Sequence, residues 1–335
     1  MLVTVTGGSG FVGSHTVAEL VRSGHRVRLL VRAESAVDSA LRPLEVPAGA
    51  VDVVVGDVTD EPAVTSAVRG ADAVVHAASV YSFDRRRRAE MLRTNVRGTE
   101  VVLGTARRLG VGRIVHVSSI AALFGPGVRV IRESSPVGTT REPYAATKAA
   151  SEAVARRLQD EGAPVVISYP PALLGPHDPK VGDQTERLRN TLRGLMPMWP
   201  SGGLQIGDVR DTASLHAALV GSDVSGGYFG PGRYLTTPEY VRTVRSVTGR
   251  SLPAVFLPAF AMLPVGKLVD LVQPLWPWHI PAEYGAIATV GAATRVDPSA
   301  GTLDLKPRPF ADTVADTVRW LGDSGLLTAR QVGRR

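Results

Sequence analysis

Cysteine is absent from the 335-residue sequence, and aromatic side chains make up only 5% of it. Without cysteine the chain has no disulfide framework, thiol nucleophile or thiolate metal site, and a reducing compartment is its simplest location. We therefore expect a cytoplasmic protein. The seven histidines lack the spacing of metal ligands, so we also expect no metal site.

Long hydrophobic runs are also absent. The most apolar stretch, Leu252–Gly266, is too short to span a bilayer as one helix and is interrupted by Pro253, Pro258 and Pro264. The amino terminus starts directly on an apolar strand pattern and lacks the flanks of a secretion signal. These features predict no membrane span and no export.

Neither sign of charge dominates the sequence. The 38 Lys and Arg residues against 31 Asp and Glu give a net charge of +7, and the basic residues are nearly all arginines spread along the chain. This spread argues against a nucleic-acid partner, although it favours anionic small ligands. The one charge run, Arg85–Arg88, is interpreted as a solvated helix entry, with contact to an anionic substrate or cofactor phosphate as the alternative.

Short, almost continuously apolar runs alternate with helical patterns over the first 170 residues. Such runs are typical of parallel strands covered on both faces. The predicted strands are Leu2–Thr6, Val27–Arg32, Val51–Val55, Ala73–His76, Arg113–Ser118 and Pro164–Tyr169. The predicted helices between them are Phe11–Ser23, Glu61–Val68, Ala89–Leu109 and Glu142–Glu161.

This alternation predicts an α/β fold of the Rossmann type, a doubly wound parallel sheet whose ligand crevice lies beyond the carboxyl ends of the strands. Residues 1–170 form that domain. Residues 171–330, which are richer in Pro and Gly and carry short helical patterns, form a smaller substrate-binding region, with some segments returning to the sheet. The later helices are predicted over Thr185–Leu195, Thr212–Val220, Pro238–Thr248 and Phe310–Gly322.

A glycine motif, Thr6-Gly-Gly-Ser-Gly-Phe-Val-Gly13, follows the first strand and opens the first helix. Glycines at 7, 10 and 13 permit a tight turn, close approach of the backbone to a pyrophosphate, and close packing of the helix on the sheet. The helix amino terminus supplies free N–H groups for the phosphates. This motif in a strand–turn–helix context predicts a dinucleotide cofactor.

The residue after the second strand selects the cofactor. An acidic residue there holds the ribose of NAD, whereas the sequence has Val31-Arg32, and an arginine can pair with a 2′-phosphate. We therefore predict NADP(H) in preference to NAD(H). In the alternative, Arg32 faces water and Glu34 binds the ribose.

Tyr144-Ala-Ala-Thr-Lys148 begins a predicted helix, and the spacing of four places the phenol and the ammonium on one face. A phenol with a pKa near 10 is a poor acid–base catalyst at neutral pH unless a positive charge stabilises its phenolate. Lys148 and an oxidised nicotinamide would supply that charge. Ser118 and Ser119 end the fifth strand, so a hydroxyl there can reach the same substrate oxygen.

These motifs together resemble the extended short-chain dehydrogenase/reductase family over most of the chain. The resemblance rests on the glycine motif together with Asp57-Val58, His76-Ala-Ala78, Asn95-Val-Arg-Gly-Thr99, Val117-Ser-Ser119, Tyr144-x-x-x-Lys148, Pro170 and Gly175-Pro176. It implies that Tyr144 is the general acid/base, that Lys148 holds the ribose and lowers the pKa of Tyr144, and that Ser119 polarises the substrate oxygen. Asn95 would steady the helix beside the site.

The predicted cofactor contacts combine the motif residues with the loops after the strands. Glycine and other small side chains after the third and fourth strands permit close approach of the adenine and the ribose. The contacts are Gly7, Ser9, Gly10, Phe11, Val12, Gly13, Arg32, Asp57, Val58, Ala77, Ala78, Ser79, Tyr144, Lys148, Tyr169 and Pro170.

Within the family, the sequence is most similar to the dihydroflavonol reductase, cinnamoyl-CoA reductase and hydroxysteroid dehydrogenase branch. Ala172 stands where nucleotide-sugar epimerases usually carry Asn, which argues against a nucleotide-sugar substrate. The later half is apolar and rich in tryptophan, which suits a hydrophobic ketone or aldehyde, although such residues are more often core than pocket lining. The residues concerned are Met196, Met198, Trp199, Trp276 and Trp278.

The leading hypothesis is therefore an NADP(H)-dependent enzyme that interconverts a carbonyl and an alcohol on a small molecule. A nucleotide-sugar epimerase or dehydratase that recycles its cofactor is one alternative, and a non-catalytic NADP(H)-binding regulator is another. The resemblance also implies a homodimer, because the helices around Asn95–Leu109 and Ala145–Leu158 pair between subunits in many members of the family.

Overall fold

The computed structural model describes residues 1–81, 85–140, 142–272, 284–297 and 299–333. Its strands are β1 (Leu2–Thr6), β2 (Arg26–Val31), β3 (Val51–Val55), β4 (Ala73–His76), β5 (Arg113–Val117), β6 (Val130–Ile131), β7 (Val165–Tyr169), β8 (Ala172–Leu174), β9 (Met198–Ser201), β10 (Gly203–Asp208), β11 (Gly226–Phe229), β12 (Arg233–Thr236), β13 (Val255–Pro258) and β14 (Arg295–Val296).

Helices connect these strands. They are α1 (Phe11–Arg22), α2 (Ser35–Leu41), α3 (Glu61–Val68), α4 (Arg88–Met91), α5 (Gly98–Arg108), α6 (Pro143–Asp160), α7 (Asp183–Leu192), α8 (Val209–Val220), α9 (Thr237–Thr248), α10 (Ala259–Val272), α11 (Tyr284–Ala292), α12 (Phe310–Asp323) and α13 (Ala329–Val332).

Seven strands form one parallel sheet in the order β11-β7-β5-β4-β1-β2-β3. The chain order reverses beside β1, which is the doubly wound arrangement expected from the sequence. All six predicted strands are confirmed to within one residue at each end. The seventh, β11, comes from the later half and pairs with β7, so part of that half does return to the sheet.

The apolar runs of these strands are explained by helices on both faces of the sheet. Neighbouring residues of β4 illustrate the arrangement, because Val74 packs with α3, α5 and α6 on one face while Val75 packs with α1, α2 and α8 on the other. Both side chains are fully buried. A strand covered in this way has no polar face to alternate with its apolar one.

One predicted helix differs in the structure. The segment expected as a single helix over Ala89–Leu109 consists of α4, a π-helical turn over Leu92–Arg97, and α5. The wider turn lets the carbonyl oxygen of Asn95 accept hydrogen bonds from the hydroxyls of Thr99 (2.6 Å) and Ser151 (2.5 Å). Side-chain bonds at this turn, which hydrophobic periodicity does not record, account for the irregularity.

The later half forms a smaller lobe with its own core. Its short strands make a three-stranded sheet, β12-β10-β8, and the two-stranded pair β13-β9, and β14 pairs with β6 of the first half. Trp199, Tyr240 and Phe310 form a row of tilted rings in this core, with centroids 5.6 and 5.5 Å apart. Met198 is exposed beside them. Trp276 and Trp278 lie outside the described residues.

Candidate active site

A cavity of about 650 Å³ lies between the carboxyl ends of the parallel strands and the smaller lobe. The loops after β1, β2, β4, β5 and β7 form one wall, and residues of β8, α7, β10 and α11 form the other. This is the crevice that a doubly wound sheet uses for its ligands.

The glycine loop forms one end of the cavity, where Gly7, Gly10 and Gly13 line the wall. A Cβ atom on Gly7, which has a φ of +77°, would lie 2.6 Å from the backbone nitrogen of Ala78, and a Cβ atom on Gly13 would overlap the carbonyl group of Gly7. Only backbone fits there. Gly10, the N-cap of α1, has no side chain to bond the first N–H groups of that helix, so they can bind a pyrophosphate.

Arg32 lines the same end of the cavity, directly after β2. Partial burial acts to raise the pKa of the Asp57 carboxyl. Two hydrogen bonds from Thr59 and, to a smaller extent, the guanidinium of Arg32 outweigh it and hold that pKa below its usual value. Glu34 instead stands at the start of α2 and is exposed. Arg87, from the basic run, also lines the cavity and pairs with Glu90 at 2.9 Å.

Ser119 and Tyr144 meet at the centre of the cavity wall. Ser119 follows β5, and its hydroxyl hydrogen-bonds the phenol of Tyr144 and accepts the N–H of Ala121 at 3.1 Å. Tyr144 is placed by Glu142, the N-cap of α6, whose carboxylate accepts the backbone N–H groups of Tyr144 (2.9 Å) and Ala145 (2.7 Å). The two hydroxyls therefore converge on one point.

Enclosure by the cavity walls raises the pKa of Tyr144 above its usual value, and the carboxylates of Glu142 and Asp183 add to this effect while the Ser119 hydrogen bond opposes it. Tyr144 consequently keeps its proton at neutral pH. The ammonium of Lys148 donates to the carbonyl oxygen of Val117 at 3.3 Å. The lowering of the Tyr144 pKa by Lys148 that the resemblance implies stays a prediction.

Lys148 lies one turn after Tyr144 on α6, is buried and lines the cavity. Burial lowers the pKa of its ammonium to about 8, and the nearby Glu152 carboxylate opposes this effect. Its other N–H groups have no hydrogen-bond partner among the described residues, so a donor is held in the cavity wall.

Asn95 connects three segments around the site. Its side-chain oxygen accepts the N–H of Val80 at 2.7 Å and the hydroxyl of Ser79 at 3.2 Å, and its amide donates to Thr147 at 3.0 Å. The loop after β4 is thereby tied to α6, on which Tyr144 and Lys148 stand. This agrees with the steadying role expected for Asn95.

Five predicted cofactor contacts do not contribute to the cavity wall. Ser9 and Ala78 lie in the loops behind it, Asp57 is bonded to Thr59, and Val58 packs under Gly98. Tyr169 is buried in the core, where its hydroxyl donates to Glu152 at 2.5 Å. The remaining predicted contacts line the cavity: Gly7, Gly10, Phe11, Val12, Gly13, Arg32, Ala77, Ser79, Tyr144, Lys148 and Pro170.

Two residues missed by the sequence analysis close the cavity above Tyr144. The ring of Tyr81 lies edge-on to that of Tyr144, with centroids 4.4 Å apart, and its hydroxyl bonds the carboxylate of Asp183 at the start of α7. Enclosure of its hydroxyl, followed by the Asp183 charge, raises the pKa of Tyr81, although 41% of the residue as a whole is exposed. No motif marks either residue, because the contact joins a strand loop to a helix more than 100 residues later.

Two buried polar atoms of the cavity wall have no hydrogen-bond partner among the described residues. They are the hydroxyl of Ser118, which is 3% exposed, and the side-chain carbonyl of Gln205, which is 8% exposed. A buried group of this kind is stabilised when a ligand supplies the missing bond. The lobe from the later half therefore brings its own polar group to the site.

Apolar side chains line the middle of the cavity between these polar groups. They come from both lobes and include Val80, Ile120, Phe124, Leu173 and Leu204. Within the described residues, no group of three or more His, Asp or Glu side chains is arranged to hold a metal. No described helix is both long enough and apolar enough to cross a bilayer.

Comparison with known proteins agrees with this geometry. Residues 3–227 match the model of the NAD dependent epimerase/dehydratase family. A putative dihydroflavonol 4-reductase from a Synechocystis species is 36% identical over 215 residues, which cover 63% of this chain and 61% of that protein. Sterol demethylase protein B of Methylococcus capsulatus is 28% identical over 337 residues, covering 98% of this chain and all of that protein.

Solved structures share the whole fold. A dTDP-glucose 4,6-dehydratase double mutant from Streptomyces venezuelae, crystallised with NAD bound, superposes with a TM-score of 0.73 at 26% identity and covers 97% of this chain and 98% of its own. The family match spans the glycine loop, Ser119, Tyr144 and Lys148, which supports a nicotinamide dinucleotide as the cofactor. The chain belongs to the NAD dependent epimerase/dehydratase family, the extended short-chain dehydrogenases/reductases.

Proposed function

We propose that this protein is an NADP(H)-dependent oxidoreductase that interconverts a ketone or aldehyde with the corresponding alcohol on a hydrophobic small molecule. One observation carries the proposal, namely that the hydroxyls of Ser119 and Tyr144 meet in the same cavity as the glycine loop. Two hydroxyls at one point suit a substrate oxygen that gains negative charge as it is reduced.

The residues of the wall fit the cofactor. The backbone N–H groups at the start of α1 would bind the pyrophosphate, Arg32 would pair with the 2′-phosphate, and Lys148 would donate to the nicotinamide ribose. When bound, the reduced nicotinamide supplies the hydride that adds to the carbonyl carbon.

Each catalytic side chain then has one task. Ser119 donates a hydrogen bond to the carbonyl oxygen and stabilises the charge that develops there. Tyr144, a phenol that is protonated at neutral pH, donates its proton to the same oxygen as that oxygen gains negative charge, and the alcohol is complete. The resulting phenolate regains a proton from solvent before the next turnover.

A hydrophobic substrate is favoured by the apolar middle of the cavity. The reason differs from the one given by the sequence, because Trp199 lies in the core of the smaller lobe and Met198 is exposed. The relatives include a farnesyl dihydroquinoline oxide ketoreductase of Stigmatella aurantiaca and a 3-beta-hydroxysteroid dehydrogenase of Mycolicibacterium neoaurum, both named for apolar substrates.

A nucleotide-sugar epimerase or dehydratase is the second candidate, because the relatives also include a dTDP-glucose 4,6-dehydratase of Streptomyces antibioticus. The observation against it is Ala172 in the cavity wall, where a methyl group replaces the amide expected for nucleotide-sugar enzymes. A non-catalytic NADP(H)-binding regulator is the third candidate, and the intact Ser119, Tyr144 and Lys148 argue against it.

The test is a steady-state assay of NADPH and NADH oxidation with a panel of hydrophobic ketones and aldehydes, alongside UDP- and dTDP-sugars. We expect one NADPH consumed per alcohol formed, and a higher kcat/KM with NADPH than with NADH. Conversion of a nucleotide sugar with no net cofactor consumption would overturn the proposal in favour of the epimerase or dehydratase. Binding of NADPH without turnover of any substrate would favour the regulator.

We also propose a cytoplasmic homodimer that pairs through α5 and α6. Charged, exposed side chains lie on and beside these helices, such as Arg97 paired with Glu100 and Arg107 paired with Glu161, so an interface here would be wet. Light scattering at micromolar concentration tests this state, since a mass of 35.4 kDa would correspond to the monomer.

A further inference from the structure

A buried carboxylate lies beside Lys148 and has no part in the reaction as proposed above. Glu152 is fully buried in α6, four residues after Lys148, which is itself only 6% exposed. Side chains four residues apart on a helix are neighbours on one face. Tyr144, Lys148 and Glu152 therefore follow one another along one face of α6.

The two oxygens of Glu152 have different surroundings. Oε1 accepts the hydroxyl of Tyr169 at 2.5 Å and the Nε–H group of Arg156 at 2.8 Å. Oε2 is buried and has no hydrogen-bond partner among the described residues. A buried carboxylate is costly unless polar or charged groups compensate it, so the charge of Glu152 calls for a further partner.

The ammonium of Lys148 is also short of partners. Its one hydrogen bond within the described chain goes to the carbonyl oxygen of Val117 at 3.3 Å. Burial favours the neutral amine, and Glu152 supplies the negative charge that opposes this effect. The carboxylate and the ammonium, one helical turn apart in a buried place, therefore stabilise each other.

The other titratable groups near this pair are neutral, cationic or bonded elsewhere. They are His76 of β4, His116 of β5, Tyr169 of β7, Tyr144 and Arg156 of α6, and Glu142 at the N-cap of α6. Burial lowers the pKa of both histidines far below the usual value, so they carry no charge at neutral pH. Glu142 binds the first N–H groups of its helix. Among the described residues this leaves Glu152 as the carboxylate that can support the charge of Lys148.

We propose that Glu152 is a positioning residue that keeps Lys148 charged, so that its ammonium can donate to the nicotinamide ribose. A charged donor makes the stronger hydrogen bond. The bonds from Tyr169 and Arg156 hold the carboxylate one turn away from Lys148. The effect of Glu152 on the cofactor rests on the role proposed for Lys148, whereas the charge of Lys148 can be measured without substrate or cofactor.

A purely structural role for Glu152 is the alternative. Its bonds to Tyr169 and Arg156 tie α6 to β7, and Arg156 also donates to the carbonyl oxygen of Ser135 at 2.9 Å. Glu152→Gln keeps the size of the side chain and an oxygen that can accept from Tyr169, so it removes chiefly the charge. Tyr169→Phe does the reverse, because it removes a bond and leaves the charge. The two roles therefore predict different results for the two variants.

The pKa of Lys148 can be measured directly by NMR, because lysines are rare in this chain. They are Lys148, Lys180, Lys267 and Lys306. Protein labelled with ¹³C at the lysine Cε atoms is titrated with pH, and the spectrum of Lys148→Arg identifies the signal of residue 148.

We expect Glu152→Gln to lower the pKa of Lys148 by roughly one to two pH units, as for two charges one helical turn apart at an intermediate dielectric constant. Tyr169→Phe and Glu152→Asp, which both keep the carboxylate, should not lower it. Rescue by Glu152→Asp would separate charge from structure, since the shorter side chain disturbs the bonds to Tyr169 and Arg156.

Binding of NADPH, followed by its fluorescence, is the second measurement. We expect the dissociation constant of Glu152→Gln to exceed that of the original chain roughly 5- to 10-fold at pH 7.5, and the ratio to approach 1 at about pH 5.5, where Lys148 is charged in both proteins. The ratio removes the titration of the cofactor's own phosphates, which is common to the two proteins.

An unchanged pKa of Lys148 in Glu152→Gln, or an equal fall in Tyr169→Phe, would overturn the proposal. A lowered pKa with NADPH binding unaffected at every pH would keep Glu152 as the support of the charge and would refute the role proposed for Lys148. Thermal melts show whether each variant is folded. If Glu152→Gln does not fold, Glu152→Met/Tyr169→Phe, in which both bonded partners become apolar, supplies the chain without the charge and is compared with Tyr169→Phe.

Discussion

The two halves of this chain are built by different rules and meet at one cavity. Up to Tyr169 the strands, apart from the two-residue β6, belong to one parallel sheet, and its inner strands are buried between helices on both faces. After Tyr169 the strands are two to six residues long and are divided among several small sheets, apart from β11. Under the proposed function, the first half would hold the groups that act on the carbonyl, and the second half would hold groups that select the substrate.

This division makes a separable prediction for each half. Changes in the first half should lower the rate of the chemical step or the affinity for the cofactor, whatever substrate is supplied. Changes in the second half should alter the KM of particular substrates and leave the affinity for the cofactor unchanged.

The largest effect is expected for Tyr144→Phe. It removes one hydroxyl and keeps the ring packing, so the affinity for NADPH should stay the same while kcat falls roughly 10²–10⁴-fold. Stopped-flow or steady-state rates with NADPH titrations measure both. Tyr81→Phe is the matched control, because its ring lies against Tyr144 and its hydroxyl bonds Asp183 instead of the reacting oxygen. Near-normal turnover by Tyr144→Phe would refute the mechanism.

Ser119→Ala should lower kcat by roughly 10²–10³-fold, as the loss of one donor to a developing oxyanion does. Ser118→Ala is the comparison, since that hydroxyl is buried and unpartnered in the described chain and makes no bond to Tyr144. Rates for the two alanine variants, measured side by side, decide which serine acts. A larger loss for Ser118→Ala would reverse the assignment.

Acid should destabilise the parallel sheet and the helices that pack on it, through the buried histidines His76 of β4 and His216 of α8. Burial lowers the pKa of His76 and of His216 to about 3, and each ring bonds hydroxyls on both nitrogens. The unfolded chain binds protons below about pH 6.5 and the folded chain does not, so stability is fully present above that pH and is lost as the pH falls.

At about pH 5 each of these histidines should cost about 2 kcal/mol of unfolding free energy relative to neutral pH. Urea unfolding of the original chain and of His216→Gln at the two pH values checks this, with His25→Gln, at a less buried position, as the control. A His216→Gln protein with an unchanged pH dependence would contradict the prediction.

Arg32→Ala should weaken NADPH binding by roughly tenfold or more and leave NADH nearly unchanged, because only NADPH offers a phosphate to the guanidinium. Titration of both cofactors by fluorescence measures the two constants. Glu34→Ala, which alters an exposed residue at the start of α2, should change neither. If Arg32→Ala weakened the binding of NADPH and NADH equally, Arg32 would not be the residue that binds the 2′-phosphate.

The smallest effect is expected in the second half, for Gln205→Met. The substitution keeps the size of the side chain and removes the buried carbonyl that has no partner in the described chain. We expect KM to rise roughly 3- to 10-fold for substrates that donate a hydrogen bond there, with kcat and NADPH affinity unchanged. A change in NADPH affinity would place Gln205 with the cofactor and break the division between the halves.

The prediction of the first half from sequence succeeded because its signals are local. A parallel strand covered on both faces is an apolar run, the glycine loop is contiguous, and Tyr144 and Lys148 stand one helical turn apart. The site positions of Arg32, Ser119, Tyr144 and Lys148 follow from one rule, that the carboxyl ends of parallel strands meet at one edge of the sheet.

What the sequence by itself determined is thus the sheet, the cofactor loop and the residues that we propose as catalytic. Only the tertiary structure decided the rest: the contact of Tyr81 with Asp183, the unpartnered carbonyl of Gln205 and the raised pKa of Tyr144. Each of these depends on which distant segments pack together and which are left uncovered. Periodicity along the chain records neither, because burial and desolvation arise only when separate elements meet.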